Sequence, residues 1–271
     1  MNTLQLLSIA TLTFINAYAQ KLPNVQQSSL RAPANVKIDG KPTEWGNFAA
    51  DNYATGLRYT MANDDKNLYV AIQATDPNVL SKITQRGVLL VIDPSGQRTD
   101  KNTITVQYPV FEVQYKNKPY LKFSNAGGLM AQERAAIRAS QDSMLAVANK
   151  RLKANDKYIR TSGMEGVDTL LSVYNDKDIV ARQGFEKWEL YNYEIAIPLK
   201  YLKLSASAKQ KFSYHIILNG IELMKDAGMK QTMVDGRMVW TTEPGAALYK
   251  KEDFPAITAT TDFWGEYILA K

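Results

Sequence analysis

The sequence predicts a mostly β protein, an antiparallel β-sandwich with one amphipathic helix inserted at about residues 131–153. Three observations carry that expectation. Short runs rich in Val, Ile, Tyr and Phe recur from Val36 to the C-terminus, bounded by Asp, Asn, Gly and Pro. Several alternate with a period of two, the spacing of a half-buried strand. Only from Ala131 to Lys153 do the β-branched residues thin out while apolar residues recur at helical spacing.

Leu4 to Ile15 is an uncharged apolar run that ends at Ala17-Tyr18-Ala19. It falls short of the roughly 20 apolar residues a membrane helix needs, and it precedes an A-x-A cleavage pattern. Residues 1–19 therefore read as a signal peptide cleaved before Gln20. The expected product is secreted or periplasmic, with no membrane insertion after cleavage. The chain contains no cysteine, so disulfides and thiolate metal sites are ruled out. With 45% of 271 residues hydrophobic, a core alone can hold a domain of this size. Residues 20–35 are polar, contain Pro23 and Pro33, and read as an extended lead-in, with one domain over 36–271.

Within that domain, Val36-Lys37-Ile38 is expected to open the first strand and Asp39-Gly40 to turn it. Tyr69 to Ala74 reads as a strand, and Val88-Leu89-Leu90-Val91-Ile92, apolar on both faces, as a central one. Ile104 to Tyr108 and Phe111 to Tyr115 alternate on either side of Pro109, where a bend or an edge is expected. The helix follows, with Ile137, Met144, Leu145, Ala148 and Leu152 on its apolar stripe, inside an insert spanning 125–165. Leu170 to Tyr174 and Ile179 to Arg182 flank Asn175-Asp176-Lys177-Asp178, the chemistry of a hairpin turn. Trp188 to Leu199, Phe212 to Leu218 and Phe263 to Leu269 supply the remaining strands, the first ended by Pro198.

Five phrases in this order resemble carbohydrate-binding module family 9 and the wider DOMON-like extracellular β-sandwiches. They are Ile38-Asp39-Gly40 with Glu44-Trp45, Asp64 to Ala71, Val91-Ile92-Asp93-Pro94, Tyr193 to Leu199, and Phe263-Trp264-Gly265. The resemblance covers Val36 to the C-terminus and implies a jelly-roll-like sandwich and a non-catalytic carbohydrate binder. The helical insert at 125–165 departs from the simple sugar-binding modules.

A sugar offers hydroxyls around a weakly apolar face, so its binder needs flat aromatic rings edged by polar groups. Trp188 and Trp240 are flanked by polar or charged residues and are the expected platforms, with Tyr191 and Glu243 beside them. Trp45 and Trp264, inside the family phrases, are expected to be structural. Asp39, Asp64, Asp65, Asp76 and Asp93 could hold a structural calcium, although acidic residues at strand ends commonly make turns and no EF-hand spacing is present. Relatives of this fold that hold haem b give a second reading, with His215, the single histidine, and Met224 and Met238 as ligands. A scaffold for protein partners is a third. No G-x-S-x-G elbow accompanies His215, so catalysis is not expected. The net charge of +6 is spread over 33 basic and 27 acidic residues without a like-charge run, which argues against nucleic acid as a partner.

Overall fold

The computed structural model describes residues 21–99, 101–110, 131–187, 190–205, 210–224, 228–242 and 251–271. Among them, five strands form one sheet: β1 (Ala50–Asn52), β2 (Leu57–Asn63), β3 (Asn67–Ala74), β8 (Val180–Lys187) and β9 (Leu190–Pro198), ordered β1-β2-β3-β9-β8. The second sheet holds β4 (Val88–Asp93), β5 (Ile104–Val110), β6 (Tyr158–Ser162), β7 (Leu170–Ser172), β10 (Lys211–Leu218) and β13 (Thr261–Ile268), ordered β13-β10-β4-β5-β6-β7. A separate hairpin pairs β11 (Met229–Val234) with β12 (Arg237–Thr242). The helices are α1 (Pro77–Arg86), α2 (Ala131–Asn155) and α3 (Phe254–Thr258). None of the described helices is long and apolar enough to cross a membrane.

Alternation decides which side chains form the core. On β10, Phe212, Tyr214, Ile216 and Leu218 point inward, and on β9 Tyr191, Tyr193, Ile195 and Ile197 do the same from the opposite sheet. Aromatic rings bridge the two layers. Tyr59 on β2 shares a 2.8 Å hydrogen bond with the Tyr214 hydroxyl and lies 5.0 Å from the Phe263 ring, while Tyr108 meets Tyr193 at 5.7 Å. Gly265 on β13 lets Tyr214 fit beneath it, because a Cβ there would fall 2.1 Å from the Tyr214 ring. As expected from its apolar run, β4 is an interior strand of its sheet, and so is β3.

Several expectations are corrected. Val36 to Ile38 is not a strand; β1 is the first, and order does not wait for Val36. The lead-in is fastened from residue 21 onward. Pro23 accepts from the Asp51 amide, the buried Gln26 side chain both donates to and accepts from the Met61 backbone, and Leu30 bonds Asn63 and Tyr267. It straps the outside of the first sheet, where Leu30, Ala32, Val36, Ile38 and Phe48 cover Trp45, Tyr69, Ala71 and Ala196.

Helix α1 links β3 to β4. Asp76 caps it by accepting from the Asn78 and Val79 amides, Pro77 starts it, and Gly87 ends it. The turn at Asn175 to Asp178 does not close a hairpin. It carries the chain between sheets, since β7 pairs with β6 and β8 with β9. Pro109 is not at an edge, because β5 lies between β4 and β6; the expected bend is there, as the β5–β6 register shifts between Gln107 and Val110. The strand expected at Phe111 to Tyr115 lies outside the described residues.

The helical insert is real but narrower than 125–165, because β6 inside those bounds is a strand of the second sheet. Helix α2 buries Ala148 and Leu152 and partly buries Leu145, whereas Met144 stays 37% exposed rather than entering the core. Its Asn149 side chain reads the backbone of β8, donating to the Phe185 carbonyl and accepting from the Phe185 amide at 2.8 Å each. Those bonds satisfy an edge strand that would otherwise be open.

Candidate functional site

The Asp39-Gly40 turn and Trp45 form an anchor around one carboxylate. Gly40 takes a φ of +83°, a conformation that glycine adopts without strain. The amides of Asp39, Gly40 and Lys41 then converge on Glu194 Oε2 at 3.2, 2.8 and 3.2 Å, while the Trp45 indole donates to Oε1 at 2.8 Å. Glu194 is fully buried on the outer side of β9. Burial pushes its carboxyl up, against the Trp45, Gly40 and Asp39 hydrogen bonds that favour the anion. Trp45 is thus structural, as its place in the phrase predicts.

Of the residues expected to bind ligand, the two that are described, Tyr191 and Trp240, are not brought together. Tyr191 is a correction: period-two alternation turns it into the core, fully buried, with its hydroxyl donating to Gln183 Oε1 at 2.7 Å. Trp240 is 39% exposed on β12 and meets the edge of Phe254 at 5.9 Å, outside both sheets of the sandwich. Trp188 and Glu243 lie outside the described residues.

The five aspartates expected for calcium are spent on local bonds. Asp39 accepts from the Lys41 amide, Asp64 from the amides of Lys66 and Asn67 and from the Tyr69 hydroxyl, and Asp93 from Ser95 and Thr99. Asp76 is the helix cap and Asp65 pairs with Arg31. No three carboxylate or histidine side chains gather as a metal cage among the described residues. The haem set fits no better. His215 Nε2 is 2.6 Å from Asp262 Oδ2 and its ring stacks on Trp264, while Met224 and Met238 are exposed on a loop and on the hairpin.

What the structure does assemble is a groove beside Trp264. On β13, Phe263 and Tyr267 point inward, so Trp264, Glu266 and Ile268 face out. His215, directly opposite on β10, stacks on the indole with 4.2 Å between ring centroids and 17° between planes. As β13 is the edge strand, no strand among the described residues covers the other side of Trp264. There an open groove of about 640 Å3 runs between β13 and the strap at residues 24–29, lined also by Arg98 and Lys211.

Glu266 in this groove accepts from Lys211 at 2.9 Å and from Arg98 at 3.4 Å. The Lys211 hydrogen bond and charge hold its carboxyl below the usual range, keeping it anionic at neutral pH. The arrangement therefore offers a flat ring fixed from behind, with cationic donors and an anionic acceptor at its margin. Trp264, expected to be structural, lines this groove, and Arg98, Lys211 and Glu266 beside it are not singled out by the sequence. The alternation of Phe263 and Tyr267 already placed Trp264 and Glu266 on the outer face.

No protein-family model matches this sequence, and no curated protein matches it. Among solved structures, a carbohydrate-binding module family 9 domain from Caldicellulosiruptor kristjanssonii, in complex with glucose, is similar. It is 14% identical, with 90% of this chain and 95% of that chain covered, at a TM-score of 0.38.

Proposed function

We infer that this chain is an exported, non-catalytic carbohydrate-binding protein whose platform is Trp264. The carrying observation is the half-exposed indole, backed on one side by His215 and bordered on the other by Arg98, Lys211 and Glu266. Stacking satisfies the apolar face of a sugar ring, and the charged trio both donates to and accepts from neighbouring hydroxyls. The groove is open rather than closed, which suits a stretch of oligo- or polysaccharide. The apolar run at Leu4 to Ile15 with its A-x-A pattern supports export of such a binder; mass spectrometry of the exported protein should read Gln20 as its first residue.

Titration of the purified protein with a panel of oligosaccharides, followed by calorimetry, tests the reading. Binding that weakens at least about tenfold in Trp264→Ala, with unchanged melting temperature, is the expected outcome. A wild-type protein that binds no member of the panel overturns it.

A further inference from the structure

A second cleft, remote from the groove in composition, lies where α2 meets the edge of the first sheet. It measures about 440 Å3 and is walled by the C-terminal end of α2, by β8 and by the Asp39-Gly40 turn. Four cationic side chains from three separate stretches line it: Lys41, Lys153, Lys157 and Arg182. None of the four makes an ion pair among the described residues.

The carboxylates in the same cleft each take a hydrogen bond from a neutral donor. Asp39 accepts from the Lys41 amide, Glu186 from the Asn192 side chain, and Asp156 from the Tyr108 hydroxyl at 2.8 Å. Burial pushes the Asp156 carboxyl up, against the Tyr108 and Gln183 hydrogen bonds and the Arg182 charge that favour the anion. The negative end of α2 also faces this region. Part of it is offset, because the Leu152 carbonyl accepts from the Asp156 amide and the Arg151 carbonyl from the Asn155 side chain.

Arg182 is prepared for a ligand. Its guanidinium lies 5.5 Å from the centre of the Tyr174 ring, and its one hydrogen bond among the described residues is to the Ala181 carbonyl. Of the five donors of a guanidinium, most remain for a planar anion. Tyr174 is 77% exposed, so it presents an aromatic surface next to that charge.

We propose that this cleft binds an anionic saccharide, with the carboxylate or sulfate group held by Arg182, Lys153 and Lys157 and the sugar ring lying against Tyr174. The inference rests on the reading of the chain as a saccharide binder and names the chemical class of a second subsite. A single exposed lysine would give little. Four cations outnumber the three carboxylates of the cleft and make no ion pair with them among the described residues, which gives a site that an uncharged sugar does not fill.

The test uses the whole mature chain, with calorimetry against an oligogalacturonate, a sulfated oligosaccharide, a neutral cello-oligosaccharide of equal length, and inorganic sulfate. Wild type should bind at least one acidic oligomer more tightly than the neutral one, with affinity falling as salt rises. Lys153→Gln with Lys157→Gln, both at exposed positions, should weaken that binding at least about tenfold while the melting temperature holds. Trp264→Ala should leave the acidic component within about twofold, which separates this site from the groove.

Which acidic oligomer binds distinguishes carboxylate from sulfate recognition. Equal affinity for neutral and acidic oligomers, or acidic binding unchanged by the double lysine variant, would overturn the inference and leave the groove reading standing. Competition by inorganic sulfate at the same concentration as the oligomers would reduce the cleft to a plain anion site and overturn its saccharide part. Failure of the groove reading would look different: neutral-sugar binding absent, or indifferent to Trp264→Ala.

Discussion

Replacing Glu194 by glutamine tests how the opening phrase holds the fold. The side chain keeps its shape, but one of its two acceptor oxygens becomes an NH2 group. In the native protein Oε2 takes three backbone amides and Oε1 takes the Trp45 indole. Whichever way the new amide is turned, an N–H donor meets an N–H donor inside the protein. Leaving one buried donor unsatisfied costs about 1–3 kcal/mol, and relief of the buried charge offsets part of it. In a domain of this size each kcal/mol lowers the melting temperature by about 2–4 °C.

Urea unfolding followed by circular dichroism, with Asp65→Asn as a comparison, reads the effect. Asp65 makes only a surface ion pair with Arg31 and is 81% exposed, so its loss should fall within about 0.5 kcal/mol. Glu194→Gln should exceed it clearly. Equal, negligible effects from the two variants would refute the anchor, and with it the assignment of Trp45 as structural.

Two further outcomes follow from the same packing and hydrogen-bond arguments. Gly265→Ala puts a Cβ 2.1 Å from the Tyr214 ring, so it should destabilise by about 1–3 kcal/mol in denaturant unfolding; a wild-type midpoint would contradict the close approach. For Asp93, burial would raise the carboxyl, but hydrogen bonds from Ser95 and Thr99 outweigh it and hold it low. A depressed native pKa means stability present above the ordinary aspartate value of about 3.9 and lost as pH falls through the native one. Asp93→Asn should therefore be less stable than wild type at neutral pH, with the two stabilities converging in acid; a constant offset down to about pH 2 would contradict this.

The strands whose burial is local in origin were legible from sequence. In β4, β10 and β13, alternation or a continuous apolar run fixes both the strand and its facing, and the register of β10 against β13 follows. Helix α1 carried a readable start in Asp76-Pro77 and a stop in Gly87, but its ten residues offered too short an apolar stripe to stand out. The hairpin of β11 and β12 is exposed over most of its length, so it lacks the one-sided burial that makes a strand visible in sequence. The turn at Asn175 to Asp178 has hairpin chemistry, yet which strands pair across it is decided by the whole sandwich.

The site was less legible for a related reason. Polar flanking residues single out Trp240, whereas Tyr191 follows the pleat of β9 into the core. Trp264 sits in a strand whose Phe263 and Tyr267 are core, and its exposure comes from β13 being the sheet edge, a property of topology. Arg98 and Lys211 are far from Trp264 in sequence and reach it only through the fold.

The most direct measurement is calorimetric titration of an oligosaccharide panel into wild type and Trp264→Ala, with tryptophan emission recorded alongside. The groove at β13 predicts saccharide binding by wild type that perturbs emission, and a loss of at least about tenfold in affinity when the indole is removed from a still-folded protein. Full saccharide affinity in Trp264→Ala, or no saccharide bound by wild type, would contradict it.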